Sequence, residues 1–380
     1  MIYAKIQSFT QFIVVKNYAQ LNNNNQYANV SKLKIGKERS KRRMVMNRLA
    51  RYRKEEEDFG REITWEELTG ALSQMDERKK GGVDEVEVAM LKRLGMKMME
   101  LWRKIFNKSM TEGLVLGKWK KAEMIPLLKD GKDPKDPGSY RPVSLTSAVV
   151  KWLERVLVNR MYFWMERDKV INNWQAGFQR GRGTEEQVLR MVQDIQDGHE
   201  ERGGHERTLV VTLDCSKAYD RVDRVRLIER MMDEGMPGPL VRWYSSFLEG
   251  RQARVRMGNG RSNWRRLQQG VPQGAVSSPS LFLLYVNEWN TYMENGIRYS
   301  RFSDDIALWA RGKKVTEMKD RMQKALNKVG RWTEKNKILV NPTKSESCLY
   351  TRNAVEKGME MGLKILEKII PTSAIFLGDY

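Results

Sequence analysis

The sequence predicts a mixed α+β fold, and three observations point to it. Val149, Trp152, Leu153, Val156, Leu157 and Met161 recur at helical spacing, as in a helix that turns one apolar face to a core. Thr208-Leu-Val-Val-Thr-Leu213 is a short β-branched run of buried-strand character. Tyr299 to Ser303 and Ile306 to Ala310 are both strand-like and are separated by Asp304 and Asp305, which reads as a hairpin with carboxylates in or beside its turn.

Composition bounds the function. A chain of 380 residues suggests two or three domain-sized units with room for a sizeable core. Hydrophobic residues at 40% and charged residues at 31% fit a soluble globular protein. With 69 Lys and Arg against 48 Asp and Glu, the net charge is +21, which implies an anionic partner, nucleic acid before membrane. Cys215 and Cys348 are the only cysteines, so a disulfide framework or a Cys-rich zinc module is excluded. His199 and His205 are the only histidines and fall in a charged, Gly-containing stretch, which argues against His-based catalysis. The longest apolar run near the start, Phe12 to Val15, is too short for a signal-peptide core. No run of about 18 apolar residues exists to span a membrane. An intracellular protein, nuclear or cytoplasmic, is the expectation.

Along the chain, residues 1–60 stand apart. Asn22 to Asn25 form a short homopolymer, and Lys32 to Lys54 is densely basic with Glu38 as its one acid. This segment reads as a solvated or disordered tail, or as a polyanion-binding arm. From about Ile63 the texture is globular. The helical face from Val149 to Met161 reads as packing. Gly198 to Gly204 should loop out before the strand at Thr208. Asp214 follows that strand directly, at the carboxyl end where active-site groups of such sheets gather. Asp220 then suits the N-cap of a helix carrying Val222, Leu227, Ile228 and Met231, with Asp223 in its first turn. In Gly270 to Phe282, two glycines loosen the backbone, Gln273 offers a donor and an acceptor, and Ser278-Pro279 starts a helix. Such a loop suits a wall for a nucleotide, and equally an ordinary tight connection.

Asp214 and Asp304 are 90 residues apart, yet both sit at strand ends. If the strands are neighbours, two or three carboxylates converge, and like charges so close require a cation. Without a Cys or His cluster, hard oxygen donors favour Mg²⁺. Two such ions roughly 3.5–4 Å apart suit phosphoryl transfer.

At these residues the sequence resembles the reverse transcriptases of non-LTR (LINE-type) retrotransposons, over roughly Glu67 to Tyr380. Leu213-Asp-Cys-Ser-Lys-Ala-Tyr-Asp220 looks like the family's first catalytic motif. Val271-Pro-Gln-Gly-Ala-Val-Ser-Ser-Pro279 is similar to its Pro-Gln-Gly element, and Phe302-Ser-Asp-Asp305 to its aromatic-x-Asp-Asp box. Upstream, Tyr140 to Leu145 and Gln175 to Thr184 resemble the fingers motifs. Downstream, Leu339 to Lys344 and Phe376-Leu-Gly378 resemble the last palm motifs. Seven elements fall in the family's order.

The resemblance implies a right-hand polymerase with fingers and palm, its antiparallel palm sheet packed by helices. The basic segment would be 1–60, a fingers-like region 61–205 and the palm 206–380, with the thumb absent and no endonuclease-like sequence ahead. Asp214, Asp304 and Asp305 would hold two Mg²⁺, with Mn²⁺ a possible substitute. Lys129 and Arg141 would reach the incoming triphosphate, and backbone groups of Ser216, Lys217 and Ala218 would cradle its phosphates. Tyr219 would reject a 2′-OH, with Gln273 and Gly274 lining the same pocket. Lys344 would neutralise or protonate the leaving pyrophosphate. Phe302, Ser303, Phe376, Leu377 and Gly378 would lie along the primer and template. Partners would be an RNA template, a DNA primer or target and dNTPs; an inactive fragment that only binds RNA is the other reading. Ser303, Ala275 and Ser277 depart from the commoner residues at their motif positions, which bears on fidelity and efficiency.

Overall fold

The computed structural model describes residues 28–54, 59–172, 174–179, 181–200, 206–216, 218–302, 305–356 and 359–376. In chain order the longer strands are β1 (Lys121–Leu128), β2 (Tyr140–Leu145), β3 (Arg207–Leu213), β4 (Gln252–Met257), β5 (Arg298–Phe302), β6 (Asp305–Gly312), β7 (Glu346–Thr351) and β8 (Thr372–Phe376). The helices referred to below are α1 (Ala28–Arg51), α2 (Trp65–Ser73), α3 (Ala148–Arg167), α4 (Thr184–Glu200), α5 (Arg224–Asp233), α6 (Gly238–Leu248), α7 (Ser278–Val286) and α8 (Val315–Lys335). The fold is mixed α+β. The chain divides into two compact units, Met1–Arg167 with Arg224–Ser278, and Asp168–Asp223 with Pro279–Tyr380.

The first unit is built on α3. The sequence face from Val149 to Met161 is buried throughout, and so are Val150, Glu154, Val158 and Arg160 on its other sides. Polar groups buried on a helix need partners. Arg160 finds them at the start of α2. Its guanidinium donates to both oxygens of Glu67 at 2.8 Å and to the carbonyls of Phe59 and Arg61 at 3.0 and 3.1 Å. Glu67 also completes a capping box with Thr64. Beside α3 lies a sheet in the order β2-β1-β4, extended by the short strands Gly260–Arg261 and Arg265–Arg266, which both pair with β4. β1 and β2 are antiparallel, β1 and β4 parallel. Glu123 on β1 is 4% exposed and gathers Arg254, Arg256 and Arg261.

Within the basic 1–60 stretch, α1 is an ordered helix. Val45 and Leu49 are buried. Lys41 pairs with Glu229 at 2.7 Å and Arg48 with Asp233 at 2.6 Å, while Arg42 pairs with Glu249. Exposed pairs of this kind contribute little, so the apolar contacts hold the helix and the charges set its placement.

The second unit carries a sheet in the order β8-β7-β3-β6-β5. Its pairs are antiparallel except β7 with β8, which is parallel and departs from the uniformly antiparallel expectation. Val210 and Trp309 pack with Ile195 of α4 in one cluster, and Trp309 donates its indole N–H to Asp194 at 2.7 Å. Leu209, Val211 and Leu213 alternate to the opposite face and are also buried. α8 packs on β3 and β6 too. Gly198, expected in a loop, belongs to the last turn of α4; residues 201–205, with His205, lie outside the described set. No described helix is long and apolar enough to cross a membrane.

Candidate active site

In the second unit the strand register assembles the carboxylates. β3 and β6 pair antiparallel up to Leu213 opposite Ile306, and β5 pairs with β6 through Phe302 opposite Asp305. Asp214 follows Leu213 and Asp305 precedes Ile306, so continuing the ladder one step brings both acids to one end of the sheet. The expected hairpin is present, with Asp305 the exposed first residue of β6 and Phe302 the last of β5. Ser303 and Asp304, between them, lie outside the described residues.

Asp214 is partly buried and its peptide is clamped from both sides. Its carbonyl accepts from the Asn341 N–H at 2.8 Å, and its N–H donates to the Ser345 hydroxyl at 3.3 Å. Leu339 and Val340 pair with Ser216 and Cys215, so the chain crosses the strand end and turns on Pro342–Lys344. The Ser345 hydroxyl donates in turn to the Asn341 carbonyl at 2.9 Å, and Thr343 donates to the Asn341 side chain at 2.8 Å. Lys344 stands exposed on this tight turn. Their motif marks Asn341 and Lys344 in the sequence, whereas Ser345, just past it, carries no such signal. A polar residue beside a turn means little until the fold sets it against Asp214.

Ala218 is buried and opens the short helix Ala218–Arg221. Tyr219 stacks on Phe282, with ring centroids 4.9 Å apart and planes inclined by 19°. Asp220 lies inside this short helix, so the expected N-cap role for the following helix does not hold: α5 begins after Asp223. Asp223 pairs with Lys337 at 2.9 Å, and its N–H donates to the Tyr285 hydroxyl at 3.2 Å. Phe302 packs on Phe178 with centroids 6.4 Å apart, beside the Trp174–Ala176 segment that hydrogen-bonds to Arg301. Lys217, Leu377 and Gly378 lie outside the described residues, and of Ser216 and Phe376 only the backbone is described.

The first unit holds the other expected residues. Arg141 lies exposed on β2 opposite Leu127. Lys129 follows β1, and its ammonium donates to the Gly138 carbonyl at 3.3 Å. The Gln273 carbonyl accepts the Ser144 N–H at 2.7 Å. Gly274 has φ +114, and a Cβ there would stand 2.7 Å from the Ser144 carbonyl oxygen. Any other residue would collide with β2 and be strained in the backbone. Ser144 therefore seats the Gln273–Gly274 loop on the strand that carries Arg141.

Asp214 and Asp305 supply the hard oxygen donors that suit a divalent cation. Among the described residues no group of three or more His, Cys, Asp or Glu is placed to hold a metal; Asp304 is not among them.

Residues 129–378 match the family described as reverse transcriptase (RNA-dependent DNA polymerase). The chain is 30% identical over 325 residues to the probable RNA-directed DNA polymerase from transposon BS of Drosophila melanogaster, covering 83% of this chain and 35% of that protein. It is 27% identical over 314 residues to the RNA-directed DNA polymerase from mobile element jockey of the same fly, covering 81% and 34%. The structure of apo telomerase from Candida tropicalis, truncated from its C-terminal domain, is similar with a TM-score of 0.47 and 14% identity, covering 70% of this chain and 58% of that one. The chain spans about a third of the length of the curated relatives it matches. With motifs, register and family match in agreement, this chain belongs to the reverse transcriptase family.

Proposed function

We propose that this chain extends a primer 3′-OH with dNTPs on an RNA template. The observation that carries the reading is the β3–β6 register, which takes Asp214 and Asp305 to one end of a sheet inside a matched reverse transcriptase region. In this reading the second unit's sheet acts as palm and the first unit's as fingers. Asp214, Asp304 and Asp305 hold two Mg²⁺, for which Mn²⁺ can substitute. When bound, such a pair stabilises the attacking and leaving oxygens of a phosphoryl transfer. Asn341 and Ser345 hold the Asp214 peptide still, so its carboxylate is presented from a fixed backbone. Arg141 and Lys129 bind the triphosphate, with Arg141 suited to paired phosphate oxygens and Lys129 acting as a point charge. Backbone groups from Ser216 to Ala218 cradle the phosphates. Tyr219 excludes the ribose 2′-OH by shape, and Gln273 and Gly274 bind the incoming nucleotide. Lys344 supplies positive charge or a proton to the departing pyrophosphate. Phe302, Ser303 and the Phe376–Gly378 segment serve primer and template in this reading, and the DNA primer or target is the strand extended.

The test is primer extension on an RNA template with Mg²⁺. Asp214→Asn removes one charged ligand, so extension is expected to fall by about three orders of magnitude or more while RNA affinity is retained. Extension by the variant at near-parental rate would refute the assignment. RNA binding by the parent without any extension would favour the inactive-fragment reading.

A further inference from the structure

The loop from Val271 to Ser278, which carries Gln273 and Gly274, is gripped at both ends by charged side chains drawn out of solvent. Upstream, Arg224 of α5 donates to the carbonyls of Leu267 at 2.7 Å, Gln269 at 3.0 Å and Gly270 at 2.8 Å. Downstream, Ser277 is fully buried and gives Glu154 both its hydroxyl, at 2.5 Å, and its N–H, at 3.3 Å. Glu154 projects from α3 and has no exposed surface. Between the grips, the Ser278 hydroxyl closes the loop on the Pro272 carbonyl at 2.7 Å, and Ser144 holds Gln273 as described.

A carboxyl in a core is costly, and an apolar residue of its size would pack α3 as well. Burial pushes the Glu154 carboxyl above its ordinary pKa, against the Ser277 hydroxyl and the charges of Arg251 and Lys151. Arg251, 1% exposed, is brought down to about 10 by burial, against the pull of Glu154. Its own hydrogen bond goes to the Phe247 carbonyl at 3.1 Å, and it stacks over that ring at 4.4 Å. Lys151, on the same helix, is lowered by burial, and the Tyr244 hydroxyl of α6 is raised by burial and by Glu154. Among the described residues both hydrogen bonds that Glu154 accepts thus come from the loop and neither from its charged neighbours. That asymmetry gives the carboxylate a purpose: it holds Ser277.

We propose that Glu154, through Ser277, and Arg224, through the Leu267–Gly270 carbonyls, are positioning residues that fix the Gln273–Gly274 loop before a nucleotide arrives. The proposal rests on the reading of Gln273 and Gly274 as nucleotide-pocket residues. A loop set in advance spares the nucleotide the cost of ordering it, so the benefit falls on dNTP binding. It also gives Ser277, an unusual residue for its motif position, a reason to be there.

Two measurements on the full chain test this: amide hydrogen exchange across residues 267–280, and KM against kcat for dNTP in primer extension. Ser277→Ala and Glu154→Leu should each speed exchange and raise KM about tenfold, the worth of one hydrogen bond, with kcat within about twofold. Glu154→Gln keeps an acceptor oxygen for Ser277 and should bring KM back to within about threefold of the parent. Exchange reads the anchor even if the parent extends no primer, so failure of the polymerase reading and failure of this one remain distinguishable. Unchanged exchange in a folded Ser277→Ala overturns the proposal, and so does faster exchange with unchanged KM. A Glu154→Gln variant as impaired in KM as Glu154→Leu also overturns it. If Glu154→Leu fails to fold, Ser277→Ala decides.

Discussion

Tyr219 lies against buried Phe282, so its ring is held from one side. That support makes its role separable by substitution. Tyr219→Phe keeps the ring and should keep the preference for dNTP over rNTP. Tyr219→Ala should raise relative rNTP use by up to about a hundredfold, the scale on which packing alone rejects an added hydroxyl. Single-nucleotide incorporation with paired dNTP and rNTP checks it, and an unchanged ratio in Tyr219→Ala would make Tyr219 a core aromatic only. The place of Asp214 and Asp305 at strand ends was legible in the sequence, because the β-branched run before one and the hairpin around the other are local patterns. Ser345, Glu154 and Arg224 were not. Each is an ordinary polar residue in sequence and gains its meaning from partners brought up by the fold, from 43 positions away for Arg224 and Leu267 to 131 for Asp214 and Ser345.

The start of α2 shows how one carboxylate can serve two elements. Burial alone would raise the pKa of Glu67, but hydrogen bonds from Arg160 and the Thr64 backbone, with the charges of Arg160 and Arg61, hold it below its ordinary 4.5. A depressed carboxylate stabilises the fold fully above its unfolded pKa, near 4.5, and that contribution is lost as pH falls through the lower folded value. Glu67→Gln retains the capping box and loses the charge facing Arg160. It should cost about 2 kcal/mol at pH 7, with the gap to the parent closing as pH falls below 4.5. Thermal melts at pH 7 and pH 3 check this; a gap that stays constant would mean the Glu67 charge contributes nothing. The elements themselves were readable where period and turn chemistry agreed, as in α3 and in the β5–β6 hairpin. The burial of Glu154 and Arg160 on α3 was not, since both look in sequence like residues of a solvent face.

At the scale of the whole chain, some of the 69 Lys and Arg are engaged in ion pairs, as where Arg254, Arg256 and Arg261 share Glu123 or where α1 meets Glu229, Asp233 and Glu249, and the net +21 is unchanged by such pairing. Enough excess remains to track phosphates. If six to ten are contacted, affinity for RNA should fall about 10³- to 10⁵-fold between about 50 and 200 mM salt, whatever the sequence. Fluorescence anisotropy with two unrelated RNAs measures it, and a flat salt response would discredit the polyanion partner. Sheet order was hidden from the sequence, because no local pattern tells β1 to pair with β4, more than a hundred residues on. That pairing reaches back into biosynthesis. When Lys121–Leu128 leaves the ribosome only β2 follows soon after, and Gln252–Met257 emerges on the order of ten seconds later at ordinary elongation rates. For that interval the nascent β1 has one bare backbone edge, open to pairing with a neighbouring polypeptide. Lys121 and Glu123, destined to lie beside Gln252 and Arg254, put charge on that edge and guard it against aggregation until its own partner is made.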